Sequence, residues 1–339
     1  MPKQLRMDTL NKIIDTGLVP VFYNPDVDTS MQIIQACFKG GAKVVEFTNR
    51  GERAYSVFST AAERLKANSP QITLGVGSII DPYSASLFIN AGADFIVGPT
   101  FNQEVARICN RLKVPYCPGC GTASEISAAE EAGVEIVKLF PGDLVGGPDF
   151  VKAVLGPMPW VRFMPTGGVD ATAISIKNWF NAGVTAVGIG SNLIRKDWIK
   201  QEEFNNISEL TANILTWIRQ ARAQSNYLGF EHVCLYPPDS QTADAMSQWY
   251  QDVFNLGISE EKTAYFLEGK QGSRLEISRV EHNLAAHIAI NVANFEEAYQ
   301  DLVNKGFQLE EPLISPAVKL AFLKETDPAG HRVHIVWRK

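Results

Sequence analysis

One short phrase recurs four times in the first two thirds of the chain, and it constrains the fold more than any other feature. The copies are GGAKVVEF, NAGADFIVG, EAGVEIVKL and NAGVTAVGIG. Each joins the end of a helical pattern to a short apolar run through a glycine, the residue that most readily takes the left-handed conformation at a helix C-terminus. The four copies therefore predict alternating helices and buried strands.

Eight apolar runs of strand length lie in this part of the chain, and helical patterns separate them. The predicted strands cover residues 18–24, 43–49, 72–79, 95–99, 114–119, 135–141, 161–168 and 186–192. Eight strand–helix units in about 200 residues are typical of a small (β/α)8 TIM barrel. A doubly wound open sheet is the alternative, but FYNPDVD, at the end of the first strand, lacks the GxGxxG motif of the dinucleotide-binding form.

Composition and charge are those of an ordinary soluble chain, and they exclude some partners. The 339 residues suffice for two domains, and a net charge of -6 gives no reason to expect nucleic acid or an anionic membrane as partner. No apolar run is long enough to span a bilayer, and the first residues lack the apolar stretch of a secretory signal. Because the five cysteines show no framework spacing, we expect a cytoplasmic protein.

Two ionisable residues fall inside predicted strands and need an explanation. Lys138 interrupts the apolar run EIVKLFP, and Glu46 interrupts KVVEFTN. In a barrel these strands stand on opposite sides of a narrow lumen, so both side chains can point inward at one level. A desolvated lysine can be neutral near pH 7 and attack a ketone to form a Schiff base, while a carboxylate shuttles protons. A structural lysine–glutamate ion pair explains the two residues equally well.

Glycines follow the last two predicted strands, in PTGG and GIGS. Backbone N–H groups approach an anion closely only where side chains are absent, and in barrels these two loops frequently hold a phosphate group. Tight turns alone would also explain the glycines. We favour a phosphate site, because two such loops coincide at the usual position.

The motifs VVEFTNR, PGCGTASE, VKLFPGDLVGG, RFMPTGGV and VGIGS resemble those of 2-keto-3-deoxy-6-phosphogluconate/4-hydroxy-2-oxoglutarate aldolases, in order, over about residues 8–220. The resemblance implies a class I carbon–carbon lyase that needs no metal, on a (β/α)8 barrel, usually trimeric. Lys138 would be the Schiff-base lysine and Glu46 the general acid/base. The residues around the phosphorylated keto acid would be Arg50, Ser78, Thr166, Gly167, Gly168, Gly190 and Ser191.

The resemblance implies cleavage of a 2-keto-3-deoxy-6-phosphogluconate-type acid to pyruvate and glyceraldehyde 3-phosphate, an Entner–Doudoroff reaction. 4-Hydroxy-2-oxoglutarate is the alternative substrate, and a sugar-phosphate isomerase or epimerase barrel is the alternative class of enzyme. Tyr23 stands where several relatives have arginine, and Ser78 stands where many have threonine. Because both would lie near the substrate, the sequence leaves the preferred acid open.

The pattern changes near residue 224, and the last third of the chain repeats itself. Two runs of the order strand, helix, strands begin at LGFEHVCLYPP and AAHIAINV, which indicates a duplicated βαβββ unit. We therefore expect two domains, residues 1–223 and 224–339, the second a smaller α+β domain of paired βαβββ modules. The duplication and the ending DPAGHRVHIV resemble the glyoxalase/bleomycin-resistance/dioxygenase, or vicinal oxygen chelate, fold.

This second resemblance implies a metal site at the first and last strand positions of both halves. These positions are His232, Glu276, His287 and His334. The fourth is usually glutamate, but imidazole also binds divalent ions such as those of Mn, Fe, Ni or Zn. A metal-free binding or scaffold module is the alternative, because a single histidine on a strand is usually a hydrogen-bonded structural residue.

Overall fold

The computed structural model describes residues 2, 4–222, 227–254, 256–268, 274–280, 286–328 and 330–338. The chain divides into two compact units, Met1–Arg222 and Ala223–Lys339. The domain boundary predicted between residues 223 and 224 lies outside the described residues. Each unit has its own sheet and its own hydrophobic core.

Short strands and helices alternate through the first unit. Its strands are β1 (Leu18–Phe22), β2 (Val44–Thr48), β3 (Thr73–Gly77), β4 (Ile96–Val97), β5 (Tyr116–Cys117), β6 (Gly119–Cys120), β7 (Lys138–Leu139) and β8 (Val187–Ile189). Its helices are α1 (Arg6–Thr16), α2 (Val27–Lys39), α3 (Ala54–Asn68), α4 (Pro82–Asn90), α5 (Gln103–Leu112), α6 (Ala123–Glu131), α7 (Gly147–Leu155), α8 (Ala173–Asn181), α9 (Lys196–Lys200) and α10 (Phe204–Arg222).

The glycines of the recurring phrase have the conformation that the phrase predicts. Gly41, Gly92, Gly133 and Gly183 all have positive φ, between 82° and 107°. A residue with a Cβ atom adopts this region only with strain, so glycine suits the turn from each helix to the following strand. The phrase thus fixes where four of the helices end.

Six strands form one curled parallel sheet in the order β5-β4-β3-β2-β1-β8. β6 follows β5 after a single residue and pairs with β7. No named strand forms over residues 161–168, where the sequence predicts one; instead, Phe163 and Thr166 each make one isolated parallel bridge. Pro165 lies between them and has no N–H to donate, but backbone hydrogen bonds continue on both sides, from Thr166 N to Leu139 O and from Gly188 N to Pro165 O.

Two hydrophobic cores lie on the two faces of this sheet. The larger packs the helices against the outer face. The smaller contains Leu10, Ile13, Val19, Val44, Phe95, Val97, Cys117, Ile136, Met164 and Ala186. Alternate residues of a strand share a face. Glu46 and Thr48 therefore lie on the inner face with Val44, and Lys138 and Phe140 lie there with Ile136.

The second unit has the order βαβββ twice. Its elements are β9 (Tyr227–Leu235), α11 (Ser240–Phe254), β10 (Gly257–Glu260), β11 (Ala264–Glu268), β12 (Arg274–Ser278), β13 (Ala286–Val292), α12 (Phe295–Asn304), β14 (Leu313–Ile314), β15 (Val318–Thr326) and β16 (Arg332–Arg338). The strands form one mixed sheet in the order β10-β11-β12-β9-β13-β16-β15-β14. The first strands of the two halves, β9 and β13, are central neighbours and run antiparallel.

The two helices of this unit pack on one face of the mixed sheet. Ile277 of β12 packs in a cluster with Ala243 of α11, and Ile335 of β16 packs in a cluster with Phe295 of α12. Because side chains alternate along a strand, the residues just before Ile277 and Ile335 point to the opposite face. Among the described helices of the whole chain, none has both the length and the apolar character that crossing a membrane requires.

Candidate active site and histidine cluster

Lys138 lies on the inner face of the curled sheet and is only 4% exposed. Its Nζ atom lies 5.1 Å from the centroid of the Phe140 ring, a cation–π contact. Within the described part of the chain, the Nζ amine of Lys138 forms neither a hydrogen bond nor a salt bridge. Lys138 and Glu46 therefore do not form the structural ion pair that the sequence allows as an alternative.

Glu46 is the second buried ionisable residue of the inner face, with 1% exposure. Burial raises the pKa of its carboxyl group, although the positive charges of Lys138 and Arg50 act in the opposite direction. Its Oε2 atom has no hydrogen-bond partner among the described residues. Gly77 of β3 makes room for the carboxyl, since a Cβ atom there would lie 1.8 Å from Oε1. Such a carboxyl group is suited to proton transfer.

A cavity of about 460 Å³ opens at the carboxyl ends of the strands. All of the predicted substrate-binding residues except Ser78 line it: Arg50, Thr166, Gly167, Gly168, Gly190 and Ser191. Neither Lys138 nor Glu46 lines the cavity, but Phe140 and Thr48 do. Because these two residues follow Lys138 and Glu46 by two positions on the same face, the lysine and the carboxyl lie one layer of side chains deeper.

The loop after Pro165 presents backbone rather than side chains to the cavity. Gly167 and Gly168 have positive φ values of 84° and 74°. A Cβ atom at Gly168 would lie 2.2 Å from the side chain of Asp143. Thr166 Oγ1 is buried without a hydrogen-bond partner among the described residues, and Gly188 leaves room for it. Open N–H groups and an unpartnered hydroxyl are suited to an anionic ligand.

Ser78 contacts the cavity indirectly, through Arg50. Arg50 Nε donates a hydrogen bond of 3.0 Å to Ser78 Oγ. Ser78 has a φ of 62°, the left-handed region that a residue with a Cβ atom seldom adopts. The strained serine therefore serves to hold the guanidinium, which itself faces the cavity.

Lys196 is a cavity residue that the sequence reasoning missed. It lines the same cavity as the glycine loops, and no described carboxylate lies within salt-bridge distance of it. The adjacent Arg195, by contrast, pairs with Asp197 at 2.7 Å. The sequence feature that could have identified Lys196 is its position, five residues after Ser191 at the end of the GIGS motif.

In the second unit, the four residues predicted as metal ligands come together. His232, His287 and His334 are buried, and one ring nitrogen of each lies within 4.8 Å of the others. His232 Nε2 lies 3.0 Å from His287 Nε2 and 3.0 Å from Glu276 Oε2. Ala289 of β13 is the pairing partner of both His232 and His334, and its small side chain leaves space between the two imidazoles.

The environment of this histidine cluster keeps one imidazole neutral. Burial, with the nearby His287 and His232, lowers the pKa of His334 to about 3. Both ring nitrogens of His334 lack a hydrogen-bond partner among the described residues. The imidazole stacks on the ring of Phe322, and the two ring centroids lie 4.4 Å apart. Cys234, with Glu276 and His287, forms a second group of donor atoms within 4.8 Å of one another. Imidazole nitrogens grouped beside a carboxylate are suited to a divalent transition metal.

The fold and site of the first unit define an α/β enzyme equipped for Schiff-base chemistry on an anionic substrate. Residues 10–210 match the family described as KDPG and KHG aldolase, and the chain belongs to that family. Residues 229–335 match the Glyoxalase/Bleomycin resistance protein/Dioxygenase superfamily. Both resemblances seen in the sequence are therefore confirmed.

Named relatives support the same assignment of the first unit. The 2-dehydro-3-deoxy-phosphogluconate aldolase of Pseudomonas aeruginosa is 32% identical over 207 residues, which cover 60% of this chain and 91% of the relative. The protein of the same name from Haemophilus influenzae is 29% identical over 211 residues, 62% of this chain and 96% of the relative. The predicted enzyme class, a carbon–carbon lyase, is confirmed by these relatives.

Among solved structures, a KDPG aldolase from Legionella pneumophila is similar to this chain with a TM-score of 0.55 and 26% identity. The match covers 61% of this chain and 97% of that structure, in which pyruvate was captured as a covalent carbinolamine intermediate.

Proposed function

We propose that the first unit cleaves a 2-keto-3-deoxy-6-phosphogluconate-type acid to pyruvate and glyceraldehyde 3-phosphate through a Schiff base on Lys138. The observation that carries the proposal is the buried amine of Lys138, which has no ion-pair partner among the described residues. Glu46, within electrostatic reach of it, supplies the proton transfers. The names of the relatives support the substrate class.

We infer that the strand pairings close a (β/α)8 barrel. β8 joins β1 at one edge of the curled sheet, and β6 carries the other edge on to β7. The bridges Val137–Phe163 and Thr166–Gly188 continue from there back to β8. In a closed barrel, β2 and β7 stand on opposite sides of the lumen, so Lys138 and Glu46 face each other.

The proposed cleavage uses the amine as an electron sink. Lys138 Nζ adds to the C2 carbonyl carbon, and the resulting carbinolamine loses water to give an iminium. Glu46 then removes the proton of the C4 hydroxyl; the C3–C4 bond breaks, and its electron pair flows to the iminium nitrogen. Glyceraldehyde 3-phosphate leaves, and the enamine takes a proton at C3. Hydrolysis releases pyruvate and the free lysine, so the reaction requires no metal.

The cavity supplies binding groups for the two charged ends of such a substrate. Arg50 would face the carboxylate of the pyruvyl half, because it lines the cavity and follows β2, the strand that contains Glu46. The loops that contain Gly168 and Ser191 would hold the distal phosphate. Release of pyruvate, followed with lactate dehydrogenase and NADH, tests the proposal, because an isomerase or epimerase barrel would release none.

We predict that Lys196→Gln raises the KM for the phosphorylated acid by about tenfold and leaves kcat nearly unchanged. The side chain lines the cavity together with the glycine loops that would hold the phosphate, so we expect its charge to contribute to ground-state and transition-state binding alike. Kinetics with the phosphorylated acid and with 4-hydroxy-2-oxoglutarate check this. The matched control is Lys200→Gln, at the other end of α9 and outside the cavity. An equal change of KM for both substrates would argue against phosphate recognition.

For the second unit we propose a divalent metal site held by His232, Glu276, His287 and His334. The unpartnered nitrogens of buried His334 support this proposal, because an imidazole confined without a hydrogen bond costs free energy unless something binds it. When bound, the ion would supply Lewis-acid chemistry to an oxygen-rich small acid. The alternative is a metal-free scaffold.

We expect about one equivalent of a transition metal in the full chain purified without an affinity tag, measured by elemental analysis after exposure to Mn, Fe, Ni or Zn. His334→Ala should lose most of it. His331→Ala is the matched control, because His331 is paired with Asp327 at 3.0 Å and is absent from the cluster. Less than about a tenth of an equivalent in the wild-type protein would contradict the metal site and favour the metal-free scaffold.

The aldolase likeness also supports a cytoplasmic homotrimer. Tyr83 and Leu87 lie one turn apart on α4, and Ile80 comes just before that helix; all three are exposed large apolar side chains, which are suited to an interface. Native mass spectrometry should give three times the 37.3 kDa of the chain.

A further inference from the structure

β9 contains an irregularity one residue before His232. Its pairing with β13 passes directly from His232–Ala289 to Phe230–Ile290, so Glu231 has no partner of its own. This is a β-bulge, an extra residue that bends one strand and re-aims a side chain. The bulge therefore changes the direction of the Glu231 side chain relative to that of its neighbour.

The carboxylate of Glu231 contacts the imidazole of the residue that follows it. In a regular strand adjacent side chains point to opposite faces. Here His232 Nδ1 donates a hydrogen bond to Glu231 Oε2. The acceptor is a carboxylate, which has no proton of its own to give, so Nδ1 must carry the hydrogen. Nε2 is then the atom that faces Glu276 and His287.

Two arginines hold the carboxylate of Glu231 in place. The Glu231 side chain is 8% exposed. Arg274 Nη1 and Arg338 Nε donate to Oε1 at 2.9 and 2.8 Å. One carboxylate oxygen is thus committed to the two arginines, and the other is left for the imidazole.

We propose that Glu231 is a positioning residue of the histidine cluster: through the bulge it fixes the ring orientation and the tautomer of His232, so that Nε2 is presented to a metal ion. This inference rests on the metal site proposed above. Carboxylates that accept a hydrogen bond from the second nitrogen of a metal-binding histidine orient the ring and raise its basicity, and losing one typically weakens metal binding by about 10- to 100-fold.

The test uses the full chain and Co²⁺, whose affinity is measured by competition with a chelator and whose visible absorption reports the ligands. Glu231→Gln should raise the Kd for Co²⁺ by about 10- to 100-fold and change the absorption spectrum. The matched control is Glu268→Gln. Glu268 is 57% exposed on its side chain and also pairs with Arg274, at 3.1 Å, but it makes no contact with His232. The Glu268→Gln variant should bind Co²⁺ with the affinity of the wild type.

A second variant keeps the test decisive if Glu231→Gln fails to fold. Glu231→Asp keeps the negative charge beside both arginines but shortens the reach to the imidazole, so it should also weaken Co²⁺ binding. If either folded variant binds Co²⁺ within twofold of the wild type, with the same spectrum, the positioning role is wrong although the metal site stands. If the wild-type protein binds no Co²⁺ at all, the metal site itself is wrong, and this inference falls with it.

Discussion

Lys138→Met should lower the rate of pyruvate formation by at least about 10⁴-fold, because a thioether cannot form an iminium and the electron pair of the C3–C4 bond then has no sink. Methionine has a similar length and no charge, and the site is buried against Phe140. The variant should therefore fold at least as well as the wild type, since it replaces a buried amine without an ion-pair partner by an apolar group.

Borohydride trapping separates this result from a general loss of activity. Wild-type protein treated with pyruvate and borohydride should gain the mass of one reduced pyruvyl adduct, and peptide mapping should place it on Lys138. Lys152→Met is the matched control, because Lys152 is an exposed lysine of α7 that pairs with Asp149. The control should keep both adduct and activity. An adduct on another lysine, or full activity in Lys138→Met, would overturn the Schiff-base assignment.

Glu46→Gln should lower kcat by about 10²- to 10⁴-fold, the usual contribution of a positioned acid–base group. The amide keeps the shape of the side chain beside Gly77 but cannot accept the hydroxyl proton. Because Lys138 is intact, borohydride should still trap some pyruvate on the variant. This combination, a slow enzyme that retains its adduct, distinguishes proton transfer from formation of the Schiff base.

The pH profile gives a second test of Glu46. The form that accepts a proton is the carboxylate, and its fraction grows as the pH rises through the pKa of the group. Since burial raises that pKa, the acid limb of the wild-type kcat profile should lie at a higher pH than an ordinary glutamate would give. Glu46→Gln should lack this limb, while Glu63→Gln, an exposed change on α3, should keep it. If the acid limb persists in Glu46→Gln, a group other than Glu46 is responsible for it.

The sequence predicts the parts of the site that depend on periodicity. Lys138 and Glu46 follow Ile136 and Val44 by two residues, so strand alternation alone places both on the inner face. The helix-ending glycines likewise follow from a local rule, the need for positive φ. The four residues of the histidine cluster are what the resemblance of the duplicated half to the vicinal oxygen chelate fold implies, and three of them, His232, His287 and His334, do come together.

The remaining features depend on tertiary geometry that no local pattern contains. Lys196 lines the cavity although it lies beyond β8, at the start of α9. Ser78 lies behind Arg50 rather than in the cavity wall, which depends on a strained backbone. Glu231 reads as an outward-facing residue by alternation, and only the bulge brings its carboxylate to His232. The apolar run around Pro165 forms isolated bridges rather than the strand that its composition predicts.

The antiparallel pairing of β9 with β13 makes the second unit two related halves joined at a central seam. Two identical βαβββ chains joined in this way would form an isologous dimer, and its symmetry would force every residue near the seam to occur in pairs. Here His232 corresponds to His287, but Glu276 corresponds to His334. A symmetric dimer of identical chains therefore cannot form a cluster of three histidines and one glutamate. Covalent fusion of the two halves allows the residues on the two sides of the seam to differ.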